Sequence, residues 1–263
     1  MQTGLNDILL AFGLTLVAGL STGIGSVIAL IAKKTDTRFL SLSLGLSAGV
    51  MIYVSFMELM PESVALLSGI YGGKLPSLFM LLAFFAGIGL IALIDNLVPD
   101  DENPHEIHTD NDPAPKLKRT AVMTAIAIGI HNFPEGLATF ASALTDLEIA
   151  LPIMFAIAIH NIPEGMAVSV PLYHSTGSKK KAFWMSFASG MAEPVGALAG
   201  FLFLLPFWTP TINALLLSFV SGIMVYISFD ELLPGTERFG HHHYGVCGVI
   251  LGMAVMAASL LLL

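Results

Sequence analysis

The stretch GIHNFPEGLATF at 129–140 is echoed by AIHNIPEGMAVS at 158–169, and both contain His-Asn-x-Pro-Glu-Gly. In each copy the histidine and the glutamate are four residues apart, which on a helix sets imidazole and carboxylate on one face. His131 and Glu135 form one such pair and His160 and Glu164 the other, with Asn132 and Asn161 beside them. A further glutamate, Glu193, follows 29 residues past Glu164 in SGMAEPVGALAG. Imidazole nitrogen, carboxylate and amide oxygen together suit first-row divalent metals, zinc and iron(II) foremost. Two facing copies can make a two-metal site with Glu135 and Glu164 as bridging carboxylates. Met51 offers a thioether to softer ions, although methionine more often fills gaps in a core.

These groups sit in an apolar chain. Its 263 residues are 55% hydrophobic and only 11% charged, whereas a soluble domain carries about 25% charged residues. A bilayer core of about 30 Å needs roughly 20 apolar residues per helix. Eight stretches meet that requirement: 6–32, 40–67, 77–97, 119–143, 147–172, 182–205, 211–234 and 243–263. They lack the two-residue alternation of barrel strands and are too long for them. The expected fold is therefore all-α, a polytopic membrane protein with eight transmembrane helices in a single domain spanning 1–263. The lone cysteine, Cys247, excludes an intramolecular disulfide and a Cys-based zinc site. The opening MQTGLNDILLAFG lacks the basic region of a cleavable signal. A net charge of −8 offers no surface to nucleic acid.

Depth turns the motif into a problem of charge. Each motif histidine lies about a dozen residues into its segment, close to halfway across at about 1.5 Å per residue. A charged side chain at a helix centre costs about 2.5–3.5 kcal/mol, so Glu135, Glu164 and Glu193 together cost roughly 8–10 kcal/mol unpaired. No Lys or Arg lies within those segment cores. Protons or metal cations must supply the positive charge. Pro134 and Pro163 lack an N–H and collide with the carbonyls of Ile130 and Ile159. Carbonyls freed at membrane depth are tolerable where they line a cavity or find a partner. Gly136 and Gly165 allow close helix approach.

Ten of the eleven basic residues fall in the loops after odd-numbered segments. These are Lys33, Lys34, Arg38, Lys116, Lys118, Arg119, Lys179, Lys180, Lys181 and Arg238; Lys74 alone lies on the other side. The positive-inside rule then places both termini outside the cytoplasm. A second repeat pairs GVMIYVSFMELMP at 49–61 with GIMVYISFDELLP at 222–234, 173 residues later, in the second and seventh segments. Under this topology those segments run in opposite directions, as do the fourth and fifth. That is the signature of an inverted repeat, here 3+2+3, which places a transporter's substrate site near the midplane. Glu58 then lies near the outer mouth and Asp230 and Glu231 near the inner one, where they can attract cations. Asp95 reads as an interfacial carboxylate. The segment 98–118, with His105 and His108 among six acids and four prolines, reads as a flexible cytoplasmic loop. His241, His242 and His243 are a weaker signal on the same side.

On these residues the chain resembles the ZIP (Zrt/Irt-like) family of metal transporters, and is close to its bacterial members. The resemblance rests on the paired HNxPEG, the eight segments and the His-bearing loop, and it covers the full chain. It implies uptake of zinc and other divalent cations, such as iron, manganese and cadmium, into the cytoplasm through a binuclear site. Zn²⁺ and Fe²⁺ are then transported substrates, held by His131, Asn132, Glu135, His160, Asn161, Glu164 and Glu193, although the two motif histidines need not both bind and His131 is the one that can lie outside the ligand set. The setting implied is the inner (plasma) membrane of a bacterium, with divalent ions, the lipid bilayer and a second copy in a homodimer as partners. An intramembrane enzyme is the first rival, but no HExxH is present, and di-iron bundles use Glu-x-x-His without internal prolines. An efflux carrier or a metal sensor shares the same residues and stays open from sequence.

Overall fold

The computed structural model describes residues 4–31, 36–97, 113–145, 147–204, 207–237 and 240–262. Among them every regular element is helical. The helices run in eight rods: α1 (Leu5–Ile31), α2 (Thr37–Ser68), α3 (Leu75–Leu97), α4 (Pro113–Thr145), α5 (Leu147–Thr176), α6 (179–204), α7 (Pro210–Glu237) and α8 (His242–Leu262). By length and apolarity five are fit to cross a membrane: α1, α2, Leu75–Ile94 of α3, α7 and His242–Leu261 of α8. The other three, α4 to α6, carry the buried polar centre. α4 begins at Pro113, inside the stretch read above as loop. Proline is at home in a helix's first turn, where its missing N–H costs nothing.

Local chemistry explains the ends. The Asp36 carboxylate accepts from the backbone N–H groups of Arg38 and Phe39 at 3.1 and 3.0 Å and so caps α2. The Thr209 hydroxyl caps α7 through Ile212 N–H at 3.2 Å, with Pro210 in its first turn. Gly177, at φ 68°, takes the left-handed turn between α5 and α6.

Among the described residues three rods contain a π-turn, α6 at Gly200–Leu204 and, at matching places that the repeat analysis did not foresee, α2 and α7. α2 widens into a π-turn at Ser55–Leu59, and α7 does so at Ser228–Leu232. The sequences are SFMEL and SFDEL, at equivalent places in the 173-residue repeat. In each turn the N–H of the residue after it, Met60 or Leu233, reaches back to the serine carbonyl, Ser55 or Ser228. A proline follows immediately, Pro61 or Pro234. Proline cannot donate to the carbonyl four residues back and would collide with it. One extra residue in the preceding turn relieves the clash, and such π-bulges gather at functional sites.

Packing divides the rods into two tightly seamed sets. α1, α4, α5 and α6 pack on one another, and α2, α3, α7 and α8 form the second set through α2·α8 and α3·α7. The seams bring glycine against backbone. A Cβ on Gly25 of α1 would stand 1.9 Å from the Ile162 carbonyl of α5, and one on Gly165 of α5 would stand 2.0 Å from that of Thr22. Gly196 of α6 and Gly136 of α4 meet in the same reciprocal way, 1.9 Å from Phe133 O and 2.1 Å from Glu193 O. Without a hydrophobic drive in lipid, such contacts are what holds helices together. The two sets meet along α2·α5 and α4·α7. α2 and α7 also cross each other, tied at both ends by serine hydroxyls. Ser41 donates to the Thr236 carbonyl at 3.1 Å and Ser63 to that of Ala214 at 2.7 Å. Since the early residue of one rod meets the late residue of the other, α2 and α7 run antiparallel.

Candidate metal centre

The two HNxPEG copies face each other across α4·α5. His131, Asn132, His160, Asn161, Glu164 and Glu193 are fully buried and Glu135 nearly so. The pairing is crosswise. His131 Nε2 lies 3.0 Å from Glu164 Oε1, and His160 Nε2 lies 2.9 Å from Glu135 Oε1. Within its own motif, His160 is 4.0 Å from Glu164 Oε1. The i,i+4 spacing of each motif thus places the groups on one face, but each imidazole meets the carboxylate of the other helix more closely.

The two pairs differ in kind. His131 and Glu164 form a hydrogen bond. His160 Nε2 and Glu135 Oε1 form an equally close ion pair without hydrogen-bond geometry, and Glu135 Oε2 has no hydrogen-bond partner. A buried donor or acceptor without a partner costs about 1–3 kcal/mol. Glu193 Oε2 and Asn161 Oδ1 are in the same position. Orphaned nitrogen and oxygen donors, gathered with three carboxylates and no lysine or arginine in the segment cores, are the donor set a divalent cation needs. Among the described residues no three His, Cys, Asp or Glu groups converge in a ready ligand cage. The side chains are paired with one another instead.

Neighbouring helices hold this set in place. The Asn161 amide donates to the Ala18 carbonyl of α1 at 2.9 Å and to the Glu193 carboxylate of α6, so one side chain ties three rods together. Asn132 has two useful orientations. One meets the Ser189 carbonyl at 3.3 Å; the other donates to Glu164 Oε2 at 3.3 Å and to the Ile128 carbonyl at 3.0 Å. Ser186 of α6 donates to the Gly165 carbonyl at 3.1 Å, at the end of the second motif. Sequence reasoning named these side chains but did not foresee α1, whose Ala18 carbonyl accepts from Asn161 and whose Thr22 carbonyl packs against Gly165. Its run of small residues, AGLSTGIGS at 18–26, was the available sign.

The remaining candidates scatter. Met51 is fully buried in the main apolar core, its sulfur 3.9 Å from the Ser47 hydroxyl. Glu58, Asp230 and Glu231 all lie on the two π-turns and are half-buried. His105 and His108 lie outside the described residues. His241 bonds Thr37 Oγ1 at 3.0 Å and His242 pairs with Glu237, which brings the starts of α2 and α8 and the end of α7 to one end of the molecule.

A helical bundle with five rods long and apolar enough to cross a membrane, packed around a buried His, Asn and Glu cluster, has the make-up of a multi-pass membrane protein. Comparison with known proteins specifies the class further. The family model "ZIP Zinc transporter" matches residues 96–260. A zinc transporter ZupT of Streptococcus mutans is 59% identical over 255 residues, covering 96% of this chain and 97% of the relative. ZupT proteins of Nitratidesulfovibrio vulgaris and Clostridium perfringens are 54% and 51% identical over 270 and 277 residues. Those two alignments cover 97% and 98% of this chain and 98% and 97% of the relatives. The chain belongs to the ZIP family of zinc transporters, a family of transporters rather than enzymes.

Proposed function

We propose that the protein carries zinc, and with it iron(II), manganese and cadmium, from outside the cell into the cytoplasm across a bacterial inner membrane. The observation that carries this reading is the crosswise pairing of two buried HNxPEG motifs. Each histidine faces the other helix's glutamate, so a cation entering between α4 and α5 meets donors from both. Glu135 and Glu164 bridge two ions, and His131, His160, Asn132, Asn161 and Glu193 complete the coordination. All eight rods cross the bilayer with both ends outside, and the first three and last three are inverted repeats around α4 and α5. Matching π-turns, reciprocal glycine contacts and the antiparallel α2·α7 crossing support that symmetry. Two tightly seamed sets of rods supply the bodies that alternating access requires.

Transport by purified protein in liposomes tests the reading. Wild type should take up Zn²⁺, Fe²⁺, Mn²⁺ and Cd²⁺, and Glu164→Ala should abolish that uptake or change its metal preference. Folded wild-type protein that binds metal without moving it would point to a sensor, and sided vesicles reporting exit alone would point to an efflux carrier.

A further inference from the structure

One face of α6 takes no part in the centre. Trp184, Ala188, Val195, Leu198 and Leu202 recur there at helical spacing and are all exposed, Trp184 at 55%. At about 1.5 Å per residue this stripe runs for roughly 27 Å, close to the depth of a bilayer core of about 30 Å. Its chemistry changes abruptly at the start of the rod. Lys179, Lys180 and Lys181 are exposed there, and no Asp or Glu occurs between Glu164 and Glu193. Lys180 and Lys181 precede Trp184 by four and three residues, so they share its face. The Lys179 ammonium is held over the Tyr173 ring of α5, 5.8 Å from its centroid. Among the described residues neither Lys180 nor Lys181 has an ion-pair partner. Trp184 itself is fixed in a ledge of three rings. It meets Phe183 at 5.5 Å and Phe187 at 5.6 Å, both edge-on, while Phe183 stacks on Phe187 at 5.7 Å. Phe187 rests in turn against Gly23 of α1, where a Cβ would stand 3.3 Å from its ring.

We propose that this face is a seat for an anionic phospholipid, its phosphate at Lys180 and Lys181 and an acyl chain laid along Trp184, Ala188 and Val195. The proposal rests on the reading that α6 crosses the bilayer and adds to it a preferred lipid. From Trp184 to Val195 is about 16 Å, the depth of one leaflet. Tryptophan settles at headgroup level, where its ring is in apolar surroundings and its N–H is wet. Side chains on a helix lean toward its N-terminus, so the lysine stems lead away from Trp184 and carry their ammonium groups out to the phosphates. Charge then sets the choice of lipid. A zwitterionic headgroup brings no net charge to two unpaired cations, whereas an anionic one supplies the charge this end of the rod lacks. The seat belongs to the set of rods that holds the metal centre, and Phe187 ties it to α1 of that set.

The probe is phosphatidylglycerol brominated on its acyl chains, diluted into phosphatidylcholine vesicles that hold the full-length protein. Brominated phosphatidylcholine at the same mole fraction is the comparison. The chain has two tryptophans, so Trp208→Phe leaves Trp184 as the fluorescent reporter. By quenching, phosphatidylglycerol should associate at least about threefold more strongly, since one lysine near an anionic surface contributes roughly a fivefold gain. Lys180→Gln with Lys181→Gln should abolish that preference, and Lys180→Arg with Lys181→Arg should keep it. A smaller preference, or one that survives the glutamine pair, overturns the proposal and leaves the lysines to solvent or to a soluble acidic partner. Loss of the preference in the arginine pair overturns it too. Quenching by neither lipid removes the reading that α6 crosses the bilayer, and the proposal with it. A second measurement dispenses with Trp208→Phe. In detergent, added phosphatidylglycerol should raise the melting midpoint of the wild type more than phosphatidylcholine does, and the glutamine pair should erase the difference. Equal shifts by the two lipids also overturn the proposal.

Discussion

Asn161 shows how one polar side chain organises the centre. Its amide is buried and serves Ala18 of α1 and Glu193 of α6 from a position on α5. Asn161→Leu keeps the approximate volume and removes both bonds. A buried carbonyl and a buried carboxylate are then unserved, at about 1–3 kcal/mol for such groups. The melting midpoint in detergent should fall by roughly 2–4 °C for each kcal/mol lost, and differential scanning fluorimetry reads this directly. At this scale the sequence was informative. The spacing of His131, Glu135, His160 and Glu164 announced a shared face, and burial confirmed that all four are interior. The crosswise partners were not legible, because spacing within a helix says nothing about which atoms of a neighbouring helix come nearest. Nor was the Ala18 carbonyl, since a backbone acceptor leaves no residue type to recognise.

At the scale of elements, hydropathy marked eight stretches whose limits match the rods to within a few residues, apart from the start of α4 at Pro113. The π-turns in α2 and α7 escaped it. The repeat of SFMELMP and SFDELLP was plain, and so was the proline at its end, but an extra residue in one turn leaves apolar periodicity almost intact. Glycine offers a sharper test of the seams. Gly165→Ala puts a methyl carbon 2.0 Å from a carbonyl of α1, with only backbone to give way. Overpacking costs about 1–3 kcal/mol where side chains can adjust, and backbone on both sides makes this case worse. Gly89→Ala is the control, because a Cβ there meets nothing within 4 Å, and it should gain about 0.5–1 kcal/mol from better helix propensity. Size-exclusion profiles should show the first variant aggregated or poorly expressed, and the second monodisperse with a raised melting point.

For the whole molecule, the charge pattern makes a claim about sidedness that thiol labelling can check. Lys74, beside the left-handed Gly73 between α2 and α3, should face outward, and Lys179 at the start of α6 should face the cytoplasm. In a Cys247→Ser background, a membrane-impermeant maleimide added to intact spheroplasts should label Lys74→Cys and spare Lys179→Cys until the cells are opened. The reverse result would invert the topology and, with it, the positions of the three π-turn carboxylates, Glu58, Asp230 and Glu231. Family membership was also visible from sequence, because paired HNxPEG is specific. The packing of rods into two sets was not, since it depends on contacts between segments far apart in the chain.

The crosswise pairing also implies a division of labour between the two halves of the chain. A piece ending with α4 owns His131 and Glu135, and a piece beginning with α5 owns His160 and Glu164. Each half thus holds a base whose closest acid belongs to the other, and the only contact among these four groups kept within one half is the looser His160–Glu164 approach at 4.0 Å. Because the two helices follow each other directly in sequence, what would be an encounter between molecules is a property of one chain.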